Sequence, residues 1–299
     1  MIIDGNALAN IYVGLSTAFN AAFQASEVWH PQVAMTVPAN TRIMDYKFML
    51  EFPMVREWIG DRVVRSLEGK SYQITTKDWE ATIEVDRNDI RDDQIGLYAH
   101  VVAALGEEAR GHPDRLIADL LLKGWTNLCF DGRPFFAVDH PVGAGAASNN
   151  DAGDDTPWFL LDTRRSIKPF IHQLRQPVQL TRMDRADDDH VFMRRSYRFG
   201  VDARYTCAYG LWQLAYASRQ PLNQTNYAAA RAAMMSLRNA DGRPLRVKPD
   251  LLVVPPSLEA LAREILEARY VLGDATAAGM KNNVWQKSAR LLVAPELAE

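Results

Sequence analysis

The residues best suited to chemistry in this chain of 299 residues are six histidines, two cysteines and several runs of acids and arginines. Asp139 stands beside His140, ahead of Pro141, a pairing that invites general-base catalysis with a serine brought from elsewhere. Neighbouring side chains diverge, however, whereas the histidine of a triad is oriented by a group that faces it. The spacing therefore predicts a turn in which Asp139 caps local backbone donors. Asp187, Asp188, Asp189 and His190 offer the oxygens a hard cation takes. Consecutive aspartates cannot converge on one ion, and the alternating positions of a calcium loop are missing, so a solvated acidic turn is expected. Arg194, Arg195, Arg198 and Arg204, interleaved with Tyr197, Phe199 and Tyr205, have the residue types of a nucleic-acid platform. Along strands they alternate between two faces, which dilutes any patch. Gly143 and Gly145 lack the third glycine and the following helix of a dinucleotide fingerprint. The chain has no G-x-S-x-G elbow, no H-E-x-x-H and no phosphate loop. Cys129 and Cys207 lie 78 residues apart, outside any C-x-x-C pair, so neither a zinc site nor a disulfide framework is expected. No catalytic residue, metal ligand or cofactor is assigned.

The elements that would position these residues follow from periodicity. Leu8, Ile11, Leu15, Phe19 and Phe23 recur at steps of three and four and predict an amphipathic helix. Its apolar stripe packs either on its own domain or, as an N-terminal arm, on another subunit. Tyr46 to Asp93 reads as short strand-prone runs broken at Leu67 to Ser71 and Lys77 to Asp78, with the clearest strand at Glu80 to Asp86. Between Glu51 and Asp93, 11 acidic and 7 basic residues make 18 charges in 43 positions, with Trp58 and Trp79 among them. Large aromatics amid mixed charge suit either a solvated hairpin or an arm buried by partners, since aromatics anchor interfaces and charges fix register. Leu97 to Lys123 is helical in spacing; Pro113 makes it one kinked helix or two helices, and Gly124 suits its C-terminal cap. Gly143 to Asp155 reads as a flexible surface loop and the best linker candidate. Strand-prone runs follow at Trp158 to Leu161, Val191 to Met193 and Tyr197 to Tyr205. The last third reads as an α/β layer. It has a helix from Tyr227 to Leu237, a turn at Asp241 to Pro244 and a buried strand from Leu251 to Val254. A helix capped by Ser257 and filling Glu259 to Leu272 comes next, then a closing strand from Leu291 to Ala294.

Composition bounds the whole. Hydrophobic residues make up 47% and charged residues 24%, and 34 basic against 37 acidic residues leave a net charge of −3. The chain is in the globular range, needs no metal or disulfide staple, and lacks the cationic excess of a dedicated DNA wrapper. The N-terminal apolar stretch is broken by polar residues and has no basic stretch before it, so neither a signal peptide nor a membrane span is expected, and a cytosolic location is.

Several strings carry a resemblance to a known family. They run from Phe52-Pro53 through Glu57-Trp58-Ile59-Gly60, Ile90-Arg91-Asp92-Asp93 and Gly96-Leu97-Tyr98 to Asp131-Gly132, Phe135-Phe136 and His140-Pro141-Val142. They continue with Leu160-Leu161-Asp162, Lys168-Pro169-Phe170-Ile171, Asp187 to Met193, Phe199-Gly200, Tyr209-Gly210, Trp212-Gln213 and Val253-Val254-Pro255. In this order the chain, from about residue 30 onward, resembles the major head subunit of Mu-like phages and prophages. The resemblance implies an α+β fold of the Hong Kong 97 phage type, divided into an N-terminal arm (1–45), an extended loop with flanking strands (46–93), a peripheral domain (94–216) with a spine helix (97–124), and an axial domain (217–299). It implies a non-enzymatic capsid protein that forms pentamers and hexamers and then an icosahedral head around double-stranded DNA, assembled in the host bacterial cytoplasm. Its implied partners are copies of itself, scaffold and portal proteins, non-specific contacts with packaged DNA and a decoration protein, with no membrane. The subunit-contact candidates are Phe19, Phe23, Trp58, Ile59, Val63, Leu67, Lys70 and Trp79. Lys70 would serve a covalent crosslink of the kind some relatives of the fold make, but no acidic, dry pocket for it is evident, and none is expected. The alternatives are a hydrolase using His140 and a DNA-binding module.

Overall fold

The computed structural model describes residues 5–46, 72–91, 95–185, 188–272 and 280–298. Seven helices are present among them: α1 (Gly5–Ala25), α2 (His30–Val33), α3 (Arg87–Arg91), α4 (Ile95–Leu122), α5 (Asp189–Arg194), α6 (Gln224–Ser236) and α7 (Glu259–Leu266). The 28 residues of α4 span roughly 42 Å, and Pro113 sits inside this single helix. Beside it, buried Asp114 accepts the backbone N–H groups of Trp29 (2.9 Å) and His30 (2.8 Å) and faces His30 Nδ1 at 2.6 Å. The proline's place is thus also where the spine is tied to the chain leaving α1.

Two sheets flank α4. The first orders β1 (Ala34–Pro38), β9 (Phe170–Met183), β10 (Ser196–Tyr209) and β4 (Lys77–Asp86). β1 runs parallel to β9, and the other pairs are antiparallel, with Phe199 opposite Ile83 and Arg182. β10 alternates as expected for a sheet with one covered face. Tyr197, Phe199, Val201, Ala203 and Tyr205 are buried, and the arginines between them lie on the other side. The second sheet orders β15 (Arg290–Val293), β12 (Leu251–Val254), β8 (Trp158–Leu161), β11 (Ala215–Ser218) and β7 (Asn150–Asp151). Every residue of β8, β11 and β12 is buried, so these strands read as unbroken apolar runs rather than alternations. Three two-stranded ribbons complete the fold: β2 (Ile43–Asp45) with β3 (Gln73–Thr75), β5 (His140–Val142) with β6 (Gly145–Ala147), and β13 (Tyr270–Leu272) with β14 (Met280–Asn282).

Two cores result. The larger joins the five-stranded sheet to Ile117, Ala118 and Leu121 of α4; the smaller joins Leu15 and Phe19 of α1 to Val102 of α4 and to Val85, Tyr197, Phe199 and Val201 of the four-stranded sheet. Helix α1 lies close against α4 at Gly106, where a Cβ would come within 2.7 Å of the Phe19 carbonyl oxygen.

Several local expectations are corrected. Gly143 to Asp155 is not a linker: it forms β6 and β7, turns at Gly143 (φ +59°), and buries Asn149 completely. Val191 to Met193 belongs to helix α5 rather than a strand, because Val191 turns into the smaller core while Phe192 and Met193 face out. The last long helix stops at Leu266, not Leu272, and gives way to β13. Ser257 does not cap it, since Pro256–Leu258 form a 3-10 turn and Leu258 takes the cap position. Lys77 and Asp78 open β4 rather than break it. Gly124 follows α4, yet its glycine requirement is steric: a Cβ there would come within 2.4 Å of the Phe136 ring. Residues 216 and 217 both lie within β11, and β8 pairs directly with β12.

Candidate subunit interfaces and buried histidine sites

The α1 stripe is covered by its own subunit. Phe19 is only 2% exposed and packs in the smaller core with Val102 and Phe199. Phe23 is half-buried, stacks on Phe19 at 5.9 Å and carries the Arg110 guanidinium 5.2 Å from its ring. Trp58, Ile59, Val63, Leu67 and Lys70 lie outside the described residues. On either side of them in sequence, β2 and β3 pair with Asp45 opposite Gln73.

Trp79 is half-buried on β4. Its indole N–H donates to the Tyr205 carbonyl at 2.9 Å, and its ring meets the edge of His112 at 4.4 Å. His112 Nδ1 lies 2.7 Å from the Tyr205 hydroxyl, and burial lowers the imidazole below its ordinary range. These side chains wall a cavity of about 130 Å³ between α4 and the sheet, left open by the small residues Ala81, Ala109 and Ala203. Exposed Glu80 and Glu108 also line it.

Behind this wall is a site that sequence reasoning missed. His172 on β9 is 7% exposed, and neither of its ring nitrogens has a hydrogen-bond partner. The His30 ring lies 5.3 Å from it and the Tyr205 ring 5.4 Å. Burial, reinforced by the charges of His30 and Arg110, pushes its pKa down to about 4. A lone histidine among strand residues gives no sign of this, because the helices that bury it come from distant sequence.

Two of the four arginines of the basic group are paired across the sheet. Arg204 binds Asp78 through Nε at 2.5 Å, and Arg198 reaches Glu84 at 3.3 Å, both across the β10–β4 pair. The interleaved aromatics are buried on the opposite face, so the arginines form no stacking platform. In the acidic turn, the Asp188 carboxylate accepts the Arg185 backbone N–H at 2.9 Å. Asp187 lies outside the described residues.

His140 departs from expectation most. It is fully buried at the start of β5, and its neighbour Asp139 caps no backbone donor there but pairs with Arg133 at 3.2 Å. The facing carboxylate comes from nine residues upstream: Asp131 Oδ2 lies 2.7 Å from His140 Nδ1. Asn149 Oδ1 sits 3.1 Å from Nε2, and Trp212 stacks on the ring at 4.0 Å. Cys129 Sγ donates to Asp131 Oδ1 at 3.1 Å. Burial raises the Asp131 carboxyl, but hydrogen bonds from His140, Cys129 and the Arg133 backbone outweigh it and hold the group below the usual carboxylate range. Burial pushes the Cys129 thiol far up, so it is no thiolate nucleophile. Cys129, Asp131 and His140 bring donor atoms within 4.8 Å of one another, a set a metal ion could use, yet each is already engaged by hydrogen bonds. Both nitrogens of His140 are occupied and closed from solvent, an arrangement suited to holding a loop rather than to attacking a substrate.

The model of the family described as "Mu-like prophage major head subunit gpT" matches residues 8–297. This chain belongs to that family. The major capsid protein of Escherichia phage Mu is 34% identical over 277 residues, covering 89% of this chain and 91% of that protein. The Mu-like prophage FluMu major head subunit of Haemophilus influenzae is 32% identical over 295 residues, covering 95% of each. Among solved structures, the procapsid of bacteriophage JBD30 matches with a TM-score of 0.84 at 36% identity, over 98% of this chain and 100% of that one. The JBD30 capsid matches at 0.79 with 28% identity, over 93% of each chain. A JBD30 capsid decorated with minor capsid protein trimers matches at 0.76 with 27% identity, over 90% of each. As a Mu-like major head subunit the chain is a structural protein of the phage head and not an enzyme, and the hydrolase reading of His140 falls away. The α+β capsid fold expected from the resemblance is the fold observed. No helix among the described residues is long and apolar enough to cross a membrane.

Proposed function

We propose that this head subunit assembles, in the host cytoplasm, into pentamers and hexamers that close as an icosahedral shell around double-stranded DNA. The supporting observation is the contrast between its two sheets: one is sealed by the subunit's own helices, while the other keeps a charged, half-open face and edge. Moderate contacts repeated over many neighbours give a stable shell whose single contacts stay reversible enough to correct errors. In this reading the five-stranded sheet with α6 and α7 is the axial domain, which moves the boundary back to include β7, β8 and β11. The four-stranded sheet with α4 as spine is the peripheral domain, and the segment between Tyr46 and Tyr72 is the extended loop that reaches a neighbour. Twenty-five residues folded out and back reach at most roughly 40 Å, well beyond a subunit whose radius of gyration is about 19 Å. Trp58, Ile59, Val63, Leu67 and Lys70 are contact residues on that loop, with Phe23 and Trp79 on the surface that supports it. Scaffold, portal and a decorating minor protein, as on the JBD30 capsid, are its further partners.

Electron microscopy of the purified full-length protein, beside a variant in which residues 48–70 are replaced by a short glycine-serine turn, tests this. Closed shells from the parent and a soluble, folded, unassembled variant are expected. Normal shells from the variant would remove the loop from the mechanism.

A further inference from the structure

A hole and a knob lie toward opposite ends of β10. The hole is the cavity of about 130 Å³ between α4 and the four-stranded sheet, with apolar and aromatic walls from Trp79, Tyr205, Leu105, Val178 and Val201. Three carboxylates line it, those of Glu80, Glu108 and Asp202, and no lysine or arginine does. Glu80 accepts the Thr82 hydroxyl at 3.1 Å and Asp202 the Gln176 amide at 2.5 Å, both neutral donors. Glu108 pairs with exposed Arg115 at 2.8 Å. His112 in the wall does not offset the acids, because burial lowers its pKa and leaves it neutral. Apolar walls under an acidic rim suit an apolar group carried beside positive charge. A dry cavity of about 150 Å³ takes up benzene, so this one is the size of a single ring.

The knob is α5, in the turn from β9 to β10. Val191 enters the smaller core and fixes the helix, which leaves Phe192 78% and Met193 73% exposed. Phe192 is the most exposed aromatic side chain among the described residues. Arg194 and Arg195 follow it directly, and both are exposed. The charge of the turn is sorted along the chain, with Asp187 to Asp189 at the start of the helix and the arginines at its end. Asp188 is turned back onto the Arg185 backbone N–H, and Asp184 is buried beside Arg182 at 3.4 Å. Met280, also highly exposed and next to Lys281, brings no ring.

We propose that Phe192 of one copy fills this cavity in a second copy, with Arg194 and Arg195 set against the acids at its mouth. The proposal rests on the shell reading above and names one of its interfaces. Knob and hole cannot meet within one chain: the seven residues from Ser196 to Ala203 hold them roughly 23 Å apart along β10, and Val191 pins the knob at its own end. Because the two surfaces differ, the contact is heterologous and passes from copy to copy, closing only where the rotation between copies allows. The ring, desolvated at the centre, carries the affinity. The charges at the rim set the register and speed the encounter, and salt screens them.

The test uses the full-length protein carrying Glu80→Cys and Met193→Cys together, one at the rim and one beside the ring without replacing it. Treatment with a short bis-maleimide should give a ladder of covalent oligomers on a denaturing gel, with links between positions 80 and 193 identified by mass spectrometry. The ladder should require both substitutions, which controls for Cys129 and Cys207. Adding Phe192→Ala, which trims an exposed side chain, should cut the ladder about tenfold, and so should Ala109→Leu, which fills the cavity. Shells of the parent under the electron microscope, with no link between positions 80 and 193 in the variant, would overturn this contact and leave the shell reading standing. Subunits that neither close nor link would overturn both. A ladder that survives Phe192→Ala would give the cavity to another occupant, the segment between Tyr46 and Tyr72 included, and would overturn the proposal.

Discussion

The five-stranded and four-stranded sheets share one spine helix, yet they solve burial in opposite ways. β8, β11 and β12 are buried at every position, on both faces, and their aromatic neighbours interlock, with Phe136 and Trp125 both within 6 Å of the Phe159 ring. β4 alternates exposed and half-buried positions along most of its length and reaches full burial at Val85. Cross-strand ion pairs cover its outer side where apolar packing would otherwise be needed. The lesson is one of division of labour. One region buries its strands on both faces; the other buries one face in a small core and leaves the opposite face charged.

The two buried histidines mirror that contrast. His140, beside the complete core, has a partner at each nitrogen, whereas His172, under the half-open sheet, has none. His140 is held in place by a closed set of hydrogen bonds, while burial pushes His172 down, so the acid response should belong to the half-open sheet.

Each contrast can be broken by substitution. Leu160→Ala removes a fully buried side chain from β8 and should cost about 4 kcal/mol. Leu180→Ala, at a half-buried place in β9, should cost about 1 kcal/mol. Equal losses in denaturant unfolding would erase the distinction between the sheets. Acid comes next. His172 has a folded pKa near 4, depressed from the ordinary 6.5, so the unfolded chain takes up the proton first. Stability is full above about 6.5 and falls as the pH drops toward 4, by about 3 kcal/mol at most. His172→Phe should flatten that limb of the pH–stability profile; an unaltered limb would assign the acid loss elsewhere. The smallest effect is local. Gly106→Ala would drive a Cβ to 2.7 Å from the Phe19 carbonyl and should lift α1 from the spine. Proteolysis should then remove α1 several-fold faster while the unfolding midpoint of the large core stays put.

Much of the architecture was legible in the sequence because local pattern and final burial agree there. The α1 stripe, the spine helix, β8, β12 and the Gly242 turn (φ +75°) all stand where periodicity and turn chemistry place them. The failures have a common cause. Gly143 to Asp155 looks like a linker by composition, yet Asn149 makes it structure through contacts with residues 12 to 66 positions away. Met193 and Phe192 look strand-prone, but only Val191 finds a core to enter. The Asp131–His140 pair was hidden by the nearer Asp139, whose adjacency drew attention from the residue that faces the ring. The family's strings already contained both partners, nine positions apart, each followed by a turn-forming residue, Gly132 and Pro141.

The division of labour itself is tested most directly by hydrogen exchange on the free subunit and on assembled shells. Peptides covering 158–161, 215–218 and 251–254 should be strongly protected in both, with no change on assembly. Peptides covering 47–86 should gain protection only in shells. Equal gains in both sets, or no gain in 47–86, would contradict the account.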